Sequence, residues 1–314
     1  VNPDRQEIDM IDFANMNSSQ IAQALGKAGA AFNAIRIPFA PQDAVVDSLE
    51  ILQAAARHRQ PGIGCGGAML IAPYGSGKTV AVQTFRDRVA NGGEPDTTPV
   101  LLVETSEIAT VESLPTSILA ALGAPQPASG SEKSRWARAI TMMTRKKVEV
   151  VVFDEFNRAS RRPTMSKPMA RAIRERIMDA GVAEVVFCGS DEAKVVLRSC
   201  PDVLQRLDDH IDLEPLDPLL EDDLSILADF LEELDTTLVA KGLLRGRSSL
   251  DDPQTVDRLC RASGGALRLI MKTIRAAMLS AIQRGSAVIE EQDLFHATAL
   301  ICVGPGHVEI NPFA

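Results

Sequence analysis

The stretch "MLIAPYGSGKTVAVQTF", residues 69–85, decides the fold. An apolar run of strand length passes through a glycine-bearing turn into a segment with helical spacing. Gly75, Ser76, Gly77, Lys78 and Thr79 follow the last half of the phosphate-loop pattern G-x-x-x-x-G-K-[ST], and Ala72 stands where the pattern has its first glycine. Such a loop works because glycines bring backbone N–H groups close around a phosphate at a helix N-terminus, while the lysine neutralises phosphate oxygens and the hydroxyl ligates magnesium. Alanine at the strand exit is tolerable if φ stays negative.

Four further runs of strand length extend the pattern: 99–105, 148–153, 183–189 and 209–215 join the first at 68–72. Helical segments fall at about 77–90, 111–122, 132–146, 163–180 and 191–199. Continuous apolar strands alternating with helices predict an α/β domain with a parallel sheet covered on both faces. After "LEPLDPLLEDD" the strand-like runs stop. The expected organisation is an N-terminal helical extension over 1–34, the α/β domain over 35–216, a small all-helical lid over 217–300 and a tail over 301–314.

Bulk composition excludes several classes. The 314 residues carry 45% hydrophobic and 24% charged side chains, with only 4% aromatic, which disfavours an all-β fold. A net charge of -9 excludes a uniformly basic coat but leaves room for a local basic strip. The five cysteines lack C-x-x-C spacing, as expected of packed, reduced thiols rather than a disulfide framework or zinc site. The acidic start "VNPDRQEIDMIDF" is unlike a secretory signal, and no stretch reaches membrane-spanning length, so a cytoplasmic protein without membrane association is expected.

The second chemical element is "VEVVVFDEFNRAS", an apolar run ending in Asp154 and Glu155. At a strand's carboxyl end the first acid can hold magnesium and the second can polarise an attacking water. Alone it also describes a strand that ends in solvated carboxylates. The third, "VVFCGSDEA", ends a strand at Ser190, which could sense a γ-phosphate or start a helix as its N-cap. Arg206, just before the last strand, and Arg268, early in a helix of the lid, are either surface cations or groups that stabilise developing phosphoryl charge.

On these residues the chain resembles an AAA+ ATPase. Within that superfamily it resembles the TniB/TnsC-type ATPases of DNA transposition, with phage MuB as a functional analogue; "LGAP" and "GSDEAK" followed by "DVLQRL" carry the narrower likeness. The resemblance spans roughly residues 35–290. It implies ATP and Mg2+ as cofactors, Lys78 and Thr79 as Walker A residues, Asp154 and Glu155 as Walker B, Ser190 as sensor 1, Arg206 as an arginine finger acting in trans and Arg268 as sensor 2. The family's "RF" at the finger reads Arg206-Leu207 here, so Arg198 remains a rival.

A basic strip follows Walker B. Between 158 and 176, Arg158, Arg161, Arg162, Lys167, Arg171, Arg174 and Arg176 face only Glu175 in the linear sequence. With no aromatic interleaved, the strip suits phosphate contact with double-stranded DNA rather than base stacking, and a solvated helix face is the bland alternative. Trp136 has helical spacing with apolar neighbours and is expected in a core or an interface. Taken together, the expectation is an ATP-dependent regulator of transposition. It would assemble as a ring or filament on target DNA, recruit or activate a transposase, with a target-selector protein as a further partner, and disassemble on hydrolysis. A helicase loader or replication initiator, a secretion-type ATPase and a nucleotide-gated interaction module with little turnover are the alternatives.

Overall fold

A computed structural model describes residues 17–60, 62–92, 94, 96–105, 110–161 and 163–314. The chain forms two compact units, the described part of Val1–Ala40 with Pro215–Ala314, and Pro41–Glu214.

The second unit holds five parallel strands, β1 (Gly67–Ile71), β2 (Val100–Glu104), β3 (Val150–Asp154), β4 (Glu184–Gly189) and β5 (Asp209–Asp212). Their order across the sheet is β2-β3-β4-β1-β5. Strand side chains alternate between faces, and the burial pattern follows that period. Met69, Val103, Val151, Phe153 and Phe187 enter one core with Ile118, Trp136 and Met143. That core lies under α4 (Leu114–Ala121), α5 (Glu132–Arg145) and α6 (Pro163–Ile173). Leu70, Val150, Val152, Val186 and Cys188 enter the other with Val45, Leu49, Val82 and Phe85, from α2 (Ala40–His58) and α3 (Lys78–Asn91). β1, β3 and β4 are buried at every position, which is why their sequence reads as unbroken apolar runs. Each fully buried Phe contributes about 1.5–3 kcal/mol relative to exposure. The expected doubly covered parallel sheet is therefore the observed one.

The other unit is helical. α1 (Ser18–Asn33) begins with a reciprocal capping box between Asn17 and Gln20. α9 (Glu221–Ala240), α10 (Pro253–Ser263), α11 (Leu267–Arg284) and α12 (Glu291–Thr298) follow the sheet unit in sequence. α10 starts at Asp252, whose carboxylate accepts from the backbone N–H groups of Gln254 and Thr255. Asp235, fully buried on α9, accepts from the backbone N–H groups of Ser248 and Ser249 and so fixes the loop before α10.

The unit boundary differs from the sequence-based expectation. Ala28, Phe32, Ile35 and Phe39 bury in the same core as Leu227, Leu231, Ile270 and Ile274, and Phe39 meets Phe230 edge to face at 5.5 Å. The segment before α2 thus completes the helical unit instead of standing apart or beginning the sheet domain. Phe313 buries in that core as well, and Asn311 Nδ2 donates to the Phe295 carbonyl, so the last residues are packed. Residues 1–16 of the expected extension lie outside the described residues.

Candidate functional site

The phosphate-loop residues connect β1 to α3 at the carboxyl end of the sheet. Gly75 and Gly77 take φ of +88° and +99°, conformations that L side chains rarely adopt. A Cβ on Gly77 would fall 1.9 Å from Gln42 Nε2, so the loop runs hard against the first turn of α2. Ala72 is absent from the positive-φ positions and its N–H donates to the Gly189 carbonyl, continuing the strand ladder by one residue. The missing glycine therefore introduces no backbone conflict there.

Lys78 is the first residue of α3 and only 7% exposed. Its Nζ donates to the carbonyls of Ala72 (2.6 Å) and Pro73 (2.9 Å). Burial pulls the ammonium below its ordinary pKa, while Cys188, Glu155, Asp154 and Asp191 act in the opposite direction. Thr79 Oγ1 donates to Asp154 Oδ2 at 3.1 Å across 75 residues of sequence. Two hard oxygen donors thus stand side by side next to the lysine. This fits Mg2+, which takes one or two protein oxygens and completes its shell with phosphate and water. Among the described residues no larger cluster of metal-ligating side chains exists.

Glu155 follows Asp154 in a left-handed conformation, φ +55°, and its N–H donates to Asp154 Oδ1 at 2.8 Å. This non-glycine residue at positive φ turns the chain sharply where the hydrolytic acid is expected. Its carboxylate meets Asn157 Nδ2 at 3.4 Å and Arg158 Nε at 3.6 Å. Asn157 also donates to Tyr74 Oη of the phosphate loop. Neither Tyr74 nor Asn157 stood out in the sequence; the one available signal was their position inside the two motifs. Beneath Asp154, burial and then the adjacent carboxylate push the Cys188 thiol well above its ordinary range, so it stays protonated.

Ser190 occupies the N-cap position of α7 (Asp191–Arg198), the helix before the short α8 (Pro201–Leu204), yet its hydroxyl bonds to Glu192 rather than to the helix backbone. Arg198 is exposed at the end of α7. Arg206 is exposed and ion-paired to Asp179 at 2.9 Å. Arg268 is exposed on the second residue of α11, in the helical unit.

The basic strip is more neutralised in space than in sequence. Arg158 pairs with Glu104 at 3.0 Å and donates to the Thr105 carbonyl. Arg171 and Arg174 share Asp202, and Arg174 also holds Asp179. Hydrogen bonding to Asp179 raises the Arg174 pKa further. Lys167 and Arg176 are exposed. Arg162 and the side chain of Arg161 lie outside the described residues. Counting charges along the chain missed these carboxylates, which approach from segments up to 54 residues away.

Trp136 is buried in the core, 2% exposed. All five cysteines are buried and free. Among the described residues, no helix is long and apolar enough to cross a membrane.

Three solved structures similar to the chain are the ORC2 protein of Aeropyrum pernix in its ADPNP–ADP complexes, Cdc6p of Pyrobaculum aerophilum and the Drosophila ORC bound to DNA. The first matches with TM-score 0.62 and 16% identity, over 86% of this chain and 71% of that one. The second has TM-score 0.65 and 16% identity, over 87% and 70%. The third has TM-score 0.57 and 16% identity, over 96% and 70%. At such identities the likeness is one of fold: a parallel sheet flanked by helices, with a helical C-terminal part, as in AAA+ ATPases. Among curated proteins none matches. The family profile described as "Bacterial TniB protein" matches residues 34–214, more than half the chain. With its phosphate loop, acidic strand end and AAA+ fold, the chain belongs to the TniB family of transposition-associated AAA+ ATPases.

Proposed function

We propose that this protein is an ATP-hydrolysing, DNA-binding regulator of transposition that assembles on double-stranded target DNA in its ATP-bound form. The observation that carries the reading is the apposition of Thr79 Oγ1 and Asp154 Oδ2 beside Lys78, with Glu155 next in the chain. Magnesium held by Thr79 and Asp154 would neutralise phosphate oxygens and orient them. The loop N–H groups and Lys78 bind and hold the β and γ phosphates, and the Glu155 carboxylate takes a proton from the attacking water. Ser190 orients that water or senses the γ-phosphate. Arg206, or Arg198, reaches the nucleotide of a neighbouring copy, and Arg268 acts on the chain's own nucleotide.

In this reading the γ-phosphate is a bridge between subunits. ATP favours the assembled ring or filament because it binds that state better, and hydrolysis removes the difference. Lys167 and Arg176, with the neighbouring arginines Arg158, Arg161, Arg162, Arg171 and Arg174, supply sequence-independent contacts to DNA phosphates. The assembled form recruits or activates a transposase and can receive a target-selector protein.

Turnover measured with and without duplex DNA tests this. Glu155→Gln is expected to lower turnover by about 100-fold or more, as removal of a general base does, while keeping ATP-dependent assembly on DNA. Lys78→Ala is expected to lose nucleotide binding and assembly together. Turnover indifferent to DNA, with no association with DNA in ATP, would overturn the DNA-directed part. A second reading, a helicase-loader or initiator-type role, is favoured by the fold shared with the Drosophila ORC bound to DNA. It predicts assembly that depends on a helicase or an origin sequence and is indifferent to a transposase.

A further inference from the structure

Asn157 is the second residue of the 3-10 turn Phe156–Arg161 and is 5% exposed. Its Nδ2 donates to Tyr74 Oη at 2.8 Å and to Glu155 Oε2 at 3.4 Å, while its Oδ1 has no hydrogen-bond partner among the described residues. A buried acceptor left without a partner lowers stability. Stability alone would favour an apolar side chain here. The orientation of the amide follows from its neighbours. An ionised carboxylate only accepts, so the nitrogen must face Glu155. Tyr74 Oη then accepts from the same nitrogen, and its own proton points elsewhere.

The surroundings are shaped for this amide. A Cβ on Gly189 would stand 2.7 Å from Ala193 Cβ, 2.9 Å from Asn157 Oδ1 and 3.1 Å from the Asn157 backbone nitrogen. Glycine at the end of β4 thus leaves room for Asn157. Tyr74 belongs to the phosphate loop and its ring lies 5.9 Å from Lys78 Nζ. The same Glu155 oxygen, Oε2, also lies 3.6 Å from Arg158 Nε, and Arg158 is held in turn by Glu104 and the Thr105 carbonyl at the end of β2. One oxygen of Glu155 is therefore shared by an amide tied to the phosphate loop and a guanidinium tied to β2.

We infer that Asn157 is a positioning residue that couples the Glu155 carboxylate to the phosphate loop through the Tyr74 hydroxyl. The orientation of the base then follows the loop that holds the phosphates, and Arg158 draws the same carboxylate toward β2. The inference rests on the reading of Glu155 as the hydrolytic base.

Tyr74 is the sole tyrosine of the chain, so 3-fluorotyrosine incorporation gives one 19F resonance that reports on it. Glu155→Gln is expected to move that resonance, and the movement should fall to less than half when Asn157→Ala is also present. In parallel, Tyr74→Phe removes one exposed hydroxyl and leaves the ring. Tyr74→Phe and Asn157→Ala should each lower kcat by about tenfold, with the Kd for a non-hydrolysable ATP analogue within about twofold. The double variant should be no slower than the slower single one, because both break one chain of bonds. Equal 19F movement with and without Asn157, independent multiplicative losses, or a loss in nucleotide affinity with kcat unchanged would overturn the coupling. If wild-type protein shows no turnover while the 19F coupling is present, the hydrolytic reading falls and the Tyr74–Asn157–Glu155 connection stands. If turnover depends on Glu155 but the 19F cycle shows no coupling, the connection falls alone.

Discussion

Gly77 shows how closely single residues are specified around the phosphate loop. Its φ of +99° and the 1.9 Å approach of Gln42 Nε2 to a would-be Cβ act together. The glutamine end can swing away, but the positive φ cannot be relieved without re-forming the loop. Gly77→Ala is therefore expected to weaken binding of an ATP analogue at least tenfold, on the order of 1.4 kcal/mol, with the thermal midpoint little changed; calorimetric titration and a melting curve check the two halves. Part of this scale was legible in the sequence, because Gly75 to Thr79 form one contiguous run, and Asp154-Glu155, ambiguous alone, take their meaning from that run. The Asn157–Tyr74 bond spans 83 residues and could not be. The left-handed turn at Glu155 was equally hidden, since nothing about a glutamate announces positive φ.

At the scale of elements, the foot of β4 carries an ion pair whose carboxylate is buried and whose guanidinium is partly exposed. Glu184, 6% exposed, accepts from Arg59 at 2.7 Å. Burial raises the Glu184 pKa, Arg59 lowers it, and nearby Asp208 adds to the rise. Removing one member of a buried pair leaves an uncompensated charge and costs about 3–5 kcal/mol. Arg59→Ala should destabilise the sheet unit by that order in denaturant titration, and adding Glu184→Gln should restore most of the loss. Also at this scale, Gly67 of β1 has no space for a side chain, since a Cβ would meet the Val185 carbonyl at 2.1 Å. Gly67→Ala is expected to part β1 from β4 and prevent accumulation of folded protein, read by solubility and far-UV circular dichroism. The strands themselves were legible because burial on both faces forces unbroken apolar runs. The allegiance of residues 28–39 was not: their apolar spacing says helix, then breaks, without saying which core it enters.

At the scale of the whole molecule, both units enclose thiols. Burial, as the first cause in each, lifts Cys65 to about 12 and Cys260 to about 11, against an ordinary value of 9.0. A thiol whose folded pKa is raised holds its proton in the native state after the unfolded chain has lost its own. The stability it contributes is whole below pH 9 and is lost as pH rises toward the folded values, by up to about 1.4 kcal/mol per pH unit for each thiol. Melting midpoints should fall between pH 9 and 11, and Cys65→Ala should give the shallower decline. The same enclosure has a practical side. Because every native cysteine is sealed inside, a cysteine introduced on an exposed face would be the one site open to a maleimide dye. The unaltered chain can therefore serve directly as the dark background for single-molecule fluorescence tests of the proposed assembly on duplex DNA.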